Sequence, residues 1–425
     1  MLNFKRSLKL FQIPDLRKRL FIVAGIFLAF RLLANIPIPG VDTNALQSFF
    51  SGNQLLGFLN LFSGGALQNL SIAMLGLGPY ITSTIIMQLL TMIFPALKSM
   101  YNEEGEQGRA KFNRYSRYLT VPLAGLQGFG FLRLLASQGI LPGLTLVGTL
   151  TNVLIIIAGS MILIWFGEII TEQKMGNGVS LLIFAGIVSS FPLAIRNAVL
   201  SYTPSQLPTF IAFIFVTLVV VLGIVLVNEG ERKVPISYAK RVRGNKMYGG
   251  VSTYLPFRVG QAGVIPIIFA ISLLLFPQFF GQIISGFSPG IGAVINDFTS
   301  GLLNNQFIYG LIYFLLVFFF TYFYIGITFD PEEISKNLQR SGGFVPGIRP
   351  GEPTALFLKA IVSKITFFGG IFLGLIAILP ILTQSVTQTQ ALTIGGTSIL
   401  IVVAVVIETA KQIDAEITVR EYEGV

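Results

Sequence analysis

The apolar positions of this chain gather into long runs that no charged residue interrupts. The longest are 134–167, 259–296, 298–329 and 365–407, each at or beyond the length needed to cross a bilayer. Hydropathy read from end to end predicts spans at about 20–36, 71–94, 115–136, 149–171, 179–195, 207–228, 262–282, 307–328, 357–382 and 394–412. All are expected to be helical, because lipid offers no partner to open backbone groups. One further apolar stretch, 53–62 (NQLLGFLNLF), is too short to span and is followed by Ser63-Gly64-Gly65. It reads as a half-helix, about 54–62, dipping back into the protein from the outer side, which requires burial or a cavity.

The charged positions are patterned too. Of 29 Lys and Arg, six lie in the first 19 residues, five in 98–117, seven in 232–258 and five in 336–364. The intervening gaps, around 37–70, 137–147, 197–205, 281–305 and 383–392, hold no Lys or Arg, although Arg133 and Arg196 border two of them. Cation-rich gaps alternating with cation-free ones are the positive-inside pattern of a polytopic helical membrane protein with both termini cytoplasmic.

Ten spans divide into two groups of five, 1–195 and 207–425, joined by 196–206. Because five is odd, the second group runs opposite to the first, giving an inverted-topology repeat of the kind built around a pathway between halves. An internal echo agrees: Gly78-Pro79 opens the second span, and Gly263 and Pro266 open the seventh. A proline frees a carbonyl and weakens the local ladder, so these helices are candidates for moving parts. Two cytoplasmic loops, 228–260 and 330–359, are longer than topology requires. The first alternates at 234–238 and 251–255, which predicts a hairpin. In the second, Asp330-Pro331-Glu332-Glu333 predicts a short helix. Gly342-Gly343 ends it, and Pro346, Gly347, Pro350 and Gly351 frame a rigid turn that presents Arg349.

Composition narrows the class further. The chain is 53% hydrophobic and 11% charged, with mean hydropathy +0.76, far from an ordinary soluble domain. Its net charge of +10 suits anionic lipid headgroups and an acidic or nucleic-acid-bearing partner. There is no cysteine and no histidine, so disulfides, thiolate metal sites, HExxH zinc chemistry and Ser-His dyads are absent. Catalysis is not expected. The basic N-terminal stretch and the apolar run from Leu20 mimic a signal peptide, but Arg31 interrupts the run and no small-residue cleavage site precedes Pro37 and Pro39. A retained first span is expected.

Nine stretches, in order, carry a family resemblance. They are NIPIPGVD at 35–42, LFSGGALQNLSI at 61–72, GLGPYITSTIIMQLLT at 76–91, EGEQGRAKFNRYSRYLT at 104–120, GEIITEQKMGNGVSLLIFAGIV at 167–188, SYAKR at 237–241, AGVIPIIFA at 262–270, FVPGIRPGEPTA at 344–355 and GGTSILIVV at 395–403. Over nearly the whole chain they resemble the SecY/Sec61 protein-conducting channel family, in its bacterial SecY form. The resemblance implies an all-α polytopic membrane protein with ten transmembrane helices in two inverted halves around a central pore. It would thread unfolded secretory polypeptides outward and release apolar segments sideways into lipid. The resemblance also implies a constriction ring of Leu77, Ile81, Val179, Ile183, Ile268 and Ile401. The half-helix, with Leu55, Leu56, Phe58, Leu59 and Phe62, would be a plug. Thr82, Gln127, Ser272 and Phe276 would line a lateral gate. An apolar ring dewets and blocks ions while closing around any passing side chain without binding it.

The two loops match the family's docking sites for the ribosome and the SecA motor ATPase, with Arg349 the foremost residue and Lys240, Arg241, Arg243 and Lys246 the hairpin cations. Relatives often carry an arginine pair near the hairpin tip. Here Asn245-Lys246 puts a point charge in place of a bidentate fork. SecE and SecG are implied as small subunits. Signal sequences, nascent chains and anionic lipids complete the partners, in a bacterial plasma (inner) membrane. No cofactor or metal is implied. The alternative class, a secondary transporter, shares inverted repeats and broken helices. Against it, Arg31, Glu168 and Glu408 lie near predicted span ends, where snorkelling accounts for them.

Overall fold

The computed structural model describes residues 13–39, 63–102, 104–137, 139, 141, 145–200, 204, 207–238, 241–243, 246–248, 252–387 and 396–423. The expected plug, 54–62, lies outside these residues, as does Lys240. A helix falls on each of the ten predicted spans. In chain order the main elements are α1 (Pro14–Asn35), α2 (Gly78–Ile93), α3 (Pro95–Asn102), α4 (Gly105–Ser137), α5 (Leu146–Glu172), α6 (Gly178–Leu200), α7 (Leu207–Glu229), β1 (Glu231–Tyr238), β2 (Arg241–Arg243), β3 (Lys246–Tyr248) and β4 (Ser252–Arg258). There follow α8 (Ile265–Phe287), α9 (Pro289–Asn304), α10 (Gln306–Thr328), α11 (Pro331–Arg340), β5 (Gly343–Phe344), α12 (Glu352–Thr387) and α13 (Gly396–Glu423). By length and apolar composition alone, five helices among the described residues suffice to cross a bilayer, or six if α2 and α3, bent 115° at Pro95, count as one.

Several boundaries differ from expectation: α4 already starts at Gly105 rather than 115, and α13 runs on to Glu423 rather than 412. The second span starts at Gly78 rather than 71, because residues 63–77 run in successive turns before Pro79 sets φ for the first helical turn. Those turns include Leu70 at φ 40° and Gly76 at φ 56°. The gap at 281–305 is also helical: α8 runs to Phe287 and α9 fills the remainder.

The chain forms two compact units, one of residues 1–207, 272–306 and 389–425 and the other of 208–271 and 307–388. In the first, α2 and α5 pack against α4, α6 against α5, and α13 against α6. A short bridge closes the chain on either side of 40–62. Pro37 pairs with Ser71, the Ile38 amide donates to Leu70 O at 2.8 Å, and the Ile72 amide donates to Ile36 O at 3.0 Å. Beneath it lies a buried apolar core that includes Ile38, Leu67, Leu70, Met74, Phe131, Leu132, Leu135 and Ile156. Gly159 of α5 is needed there, since a Cβ at that position would overlap the Ile72 carbonyl. Overlap with backbone has no rotamer escape. Gly159→Val is accordingly expected to cut the yield of monodisperse protein severely, measured by size exclusion in detergent. The same change at Gly25, which has open space around it, should be tolerated.

In the second unit, Gly370 and Gly374 of α12 admit the rings of Phe318 and Phe314 from α10, the small-residue packing that draws helices together in lipid. Phe318 also meets Phe367 edge-on, with centroids 5.9 Å apart. The hairpin expected from alternation is β1 against β4, in register from Glu231↔Arg258 to Ser237↔Ser252. Its inward residues Val234, Ile236 and Phe257 are buried, and Phe257 packs edge-on against Phe329. A strand that was not expected, β5, adds to the other side of β1 through Ser237↔Phe344 and Tyr238↔Gly343. The sheet order β4-β1-β5 therefore joins the two long loops into one body.

Candidate functional site: the ring positions, a polar seam and the joined loops

The ring candidates sit at helix starts and on helix faces that local chemistry fixes. Leu77 caps α2 and is buried, with its carbonyl accepting the Ile81 amide at 3.0 Å. Asn177 caps α6: its side chain accepts the Ser180 amide at 3.2 Å, and its carbonyl accepts the Leu181 amide at 2.9 Å. Val179 then faces Gly167 of α5, while Ile183 is buried one turn on. Ile401 is 1% exposed on α13, the helix that packs on α6. Ile81 and Val179 are half-buried. These five belong to the first unit. Ile268 belongs to the second, where it is half-buried on α8 beside the Phe269–Phe320 edge-on pair.

Among the gate candidates, the structure brings Thr82 and Gln127 together. Gln127 Nε2 donates to Thr82 Oγ1 at 3.5 Å, a long and weak bond. The Thr82 hydroxyl is spent on Gly78 O at 3.0 Å. Ser272 is half-buried on α8, and Phe276 is exposed there, stacked on Phe280 at 5.7 Å.

Arg349 stands on a turn framed by prolines and by glycines at positive φ. Asp330 caps α11 by accepting the Glu332 and Glu333 amides at 3.0 and 3.2 Å, with Pro331 at the first helical position. Gly342 at φ 73° ends the helix and releases the chain into β5. Gly347 and Gly351 follow at φ 84° and 97°, a conformation that other residues rarely adopt. Two buried hydroxyls hold the turn from beneath: Thr354 donates to Arg349 O at 2.8 Å and Ser335 to Gly351 O at 2.6 Å. The Arg349 side chain is exposed, and its guanidinium has no ion pair or hydrogen bond among the described residues. Strands β2 and β3 run antiparallel, with Arg241 in register with Tyr248 and Arg243 with Lys246.

The span-end charges are held by specific partners rather than by snorkelling alone. Arg31 Nη1 donates to Gly64 O at 2.6 Å. Arg117 pairs with Glu168 at 2.8 Å. Asp15 meets Arg19 at 3.0 Å and Arg420 at 2.8 Å, and Arg19 also donates to Gln173 O at 3.2 Å, so the ends of α1 and α13 share one charge network. Apart from Asp15–Arg19, an i,i+4 pair on α1, none of these pairings has a sequence periodicity to announce it, since the partners lie 33 to 405 residues apart.

Taken together, the fold and these positions define a polytopic α-helical membrane protein with apolar ring candidates and an exposed arginine on a turn held by buried hydroxyls. The chain belongs to the SecY family, whose profile matches residues 71–410. It is 43% identical over 433 residues to the protein translocase subunit SecY of Streptomyces galbus, covering 97% of this chain and 98% of that one. It is 41% identical to the subunit of the same name from Mycobacterium bovis, covering 96% and 97%. Among solved structures, a protein conducting channel superposes with a TM-score of 0.66 at 20% identity, over 94% of this chain and 92% of that one. Sec61 in a canine ribosome-channel complex gives a TM-score of 0.63 at 19% identity, over 94% and 92%. At these identities the two structures speak for the fold.

Proposed function

We propose that this chain is the protein-conducting channel subunit of a secretory translocase, passing unfolded polypeptides across the membrane and releasing apolar segments into lipid. The observation that carries this reading is the near full-length likeness to translocase subunits, joined to aliphatic residues at every motif position of the ring. Leu77, Ile81, Val179, Ile183, Ile268 and Ile401 form the constriction, contributed by an N-terminal half (1–195) and an inverted C-terminal half (207–425). Residues 54–62, with Leu55, Leu56, Phe58, Leu59 and Phe62, are the plug. Thr82 and Gln127 on one side, with Ser272 and Phe276 on the other, line the lateral gate. The weak Gln127–Thr82 bond suits a seam that must open, since such contacts in membranes are worth about 1–2 kcal/mol or less.

Arg349 receives the SecA motor. Lys240, Arg241, Arg243 and Lys246 face ribosomal RNA, where counterion release favours clustered cations. SecE and SecG accompany the subunit, and anionic lipids meet its basic face. The chain carries no catalytic step of its own, and the energy comes from its partners. It resides in a bacterial plasma membrane with both termini cytoplasmic. A transporter reading is less well supported, because Arg31, Arg117 and Glu168 are engaged in structural pairs instead of standing ready for a solute or ion.

A photo-crosslinking residue tests the pore directly. Placed at Ile81, Ile183 or Ile401, it should capture an arrested secretory chain during transport. Placed at Leu154, an exposed position on α5, it should capture lipid and no chain. Equal capture at all four positions would remove the ring assignment. Topology is checked separately in this cysteine-free chain. Ser288→Cys should react with an impermeant maleimide added outside, and Ser341→Cys only from the cytoplasmic side. The reverse pattern would invert the proposed orientation.

A further inference from the structure

In the topology proposed above, helix α9 lies in the connection between α8 and α10, on the side of the membrane opposite the basic loops. It has 16 residues, a length of about 24 Å at 1.5 Å per residue, short of a hydrocarbon core about 30 Å thick. Its residues sort into three faces. One face packs on α8: Gly292 and Gly281 leave room for Ser285 and Asn296, and Asn296 Nδ2 donates to Ser285 Oγ at 3.1 Å. Thr299 is buried on the same side. A second face carries Ala293 and Asp297. The third is apolar and uncovered, with Ile291 60%, Val294 69% and Phe298 69% exposed at i, i+3 and i+7. Helix α8, in the same unit over residues 272–287, also carries exposed apolar side chains at helical spacing, Leu273, Phe276 and Phe280.

We propose that α9 is an interfacial helix, with Ile291, Val294 and Phe298 sunk into the lipid at the membrane surface and Ala293 and Asp297 turned to water. Helices of this type bury their apolar face about 5–10 Å into the headgroup and acyl boundary. The contact with α8 sets the rotation of α9 and aims its apolar stripe at the bilayer, so the helix acts as a fixed float at the end of α8. No Lys or Arg occurs between Arg258 and Lys336. The attachment therefore rests on apolar area and not on anionic lipid. This inference depends on the membrane topology and not on polypeptide transport, so either can fail without the other.

The absence of cysteine allows a clean test in the full chain. Val294→Cys, Phe298→Cys and Ala293→Cys are each labelled with an environment-sensitive fluorophore and reconstituted into vesicles containing lipids nitroxide-labelled at a shallow depth. Labels at 294 and 298 should emit at shorter wavelength and be quenched several-fold more by the labelled lipid than the label at 293. The label at 293 should instead be quenched by aqueous iodide. The contrast should be the same with and without phosphatidylglycerol. A nitroxide spin label at the same three sites gives an independent reading through relative collision with oxygen and with a water-soluble nickel chelate. Equal lipid quenching at 293 and 294 would overturn the proposal. So would short-wavelength emission at 294 and 298 with no lipid quenching, which would mean that protein covers the face.

Discussion

Arg349→Glu is expected to abolish SecA-driven export while leaving abundance, folding and the ion seal intact. The turn that presents this side chain is already rigid, held by Gly347 and Gly351 at positive φ and by the buried hydroxyls of Thr354 and Ser335. Little conformational entropy is lost when a partner docks. An exposed guanidinium can pair bidentately with an acidic group, and truncating such a contact once desolvated costs about 2–5 kcal/mol. Reversing the charge adds repulsion. Ribosome-dependent insertion should suffer less, since the hairpin cations make a separate electrostatic contact. Thr354→Val supplies an intermediate case. It removes the hydroxyl from Arg349 O without touching the charge, and should weaken motor coupling only in part. The two activities are measured side by side in inverted vesicles. Equal loss of both, with reduced abundance, would make Arg349 a structural residue of its turn.

Ile401→Asn should raise resting ion leak and admit substrates with weak signal sequences, and Ile81→Asn should do the same to a smaller degree. Ile401 is almost fully buried on α13, whereas Ile81 is half-buried. A hydrogen-bonding amide in an apolar constriction recruits water and removes the dewetted barrier. It also burdens the closed state with a poorly satisfied polar group, at about 1–3 kcal/mol on protein-based scales, which favours opening without impairing passage. Planar-bilayer conductance of the idle channel reads the leak. Variants that kept a tight seal and simply stopped transporting would be packing residues.

What was legible in the sequence follows from what has a period. Helices with long apolar runs announced themselves, and so did the β1–β4 hairpin and the Asp330-Pro331 helix start, because each rests on local chemistry. The boundary at Gly78 was misplaced by seven residues. The turns at 63–77 are apolar enough to resemble helix, and the left-handed backbone of Leu70 has no side-chain signature. Strand β5 has two residues, too few to show alternation, so the union of the two loops was invisible until β1 was seen to pair on both sides. Arg31 looked like a snorkelling residue because its acceptor is a backbone carbonyl, which sequence never displays. The apolar stripe of α9 is present in the letters at 291, 294 and 298, but three apolar residues in a cation-free gap do not by themselves distinguish a helix from a loop. The ring candidates were nameable only through motif resemblance, since an isoleucine that lines a pore and one that fills a core are the same residue.

The most direct test of the channel assignment is transport by the purified subunit itself. The chain is reconstituted with SecE into sealed vesicles, supplied with an unfolded secretory substrate, and assayed for protease-protected polypeptide with and without SecA and ATP. The assignment predicts protected substrate only when SecA and ATP are both present, and its loss in the Arg349→Glu variant. Vesicles that accumulate a small solute down an ion gradient, and never protect polypeptide under any combination of partners, would contradict it.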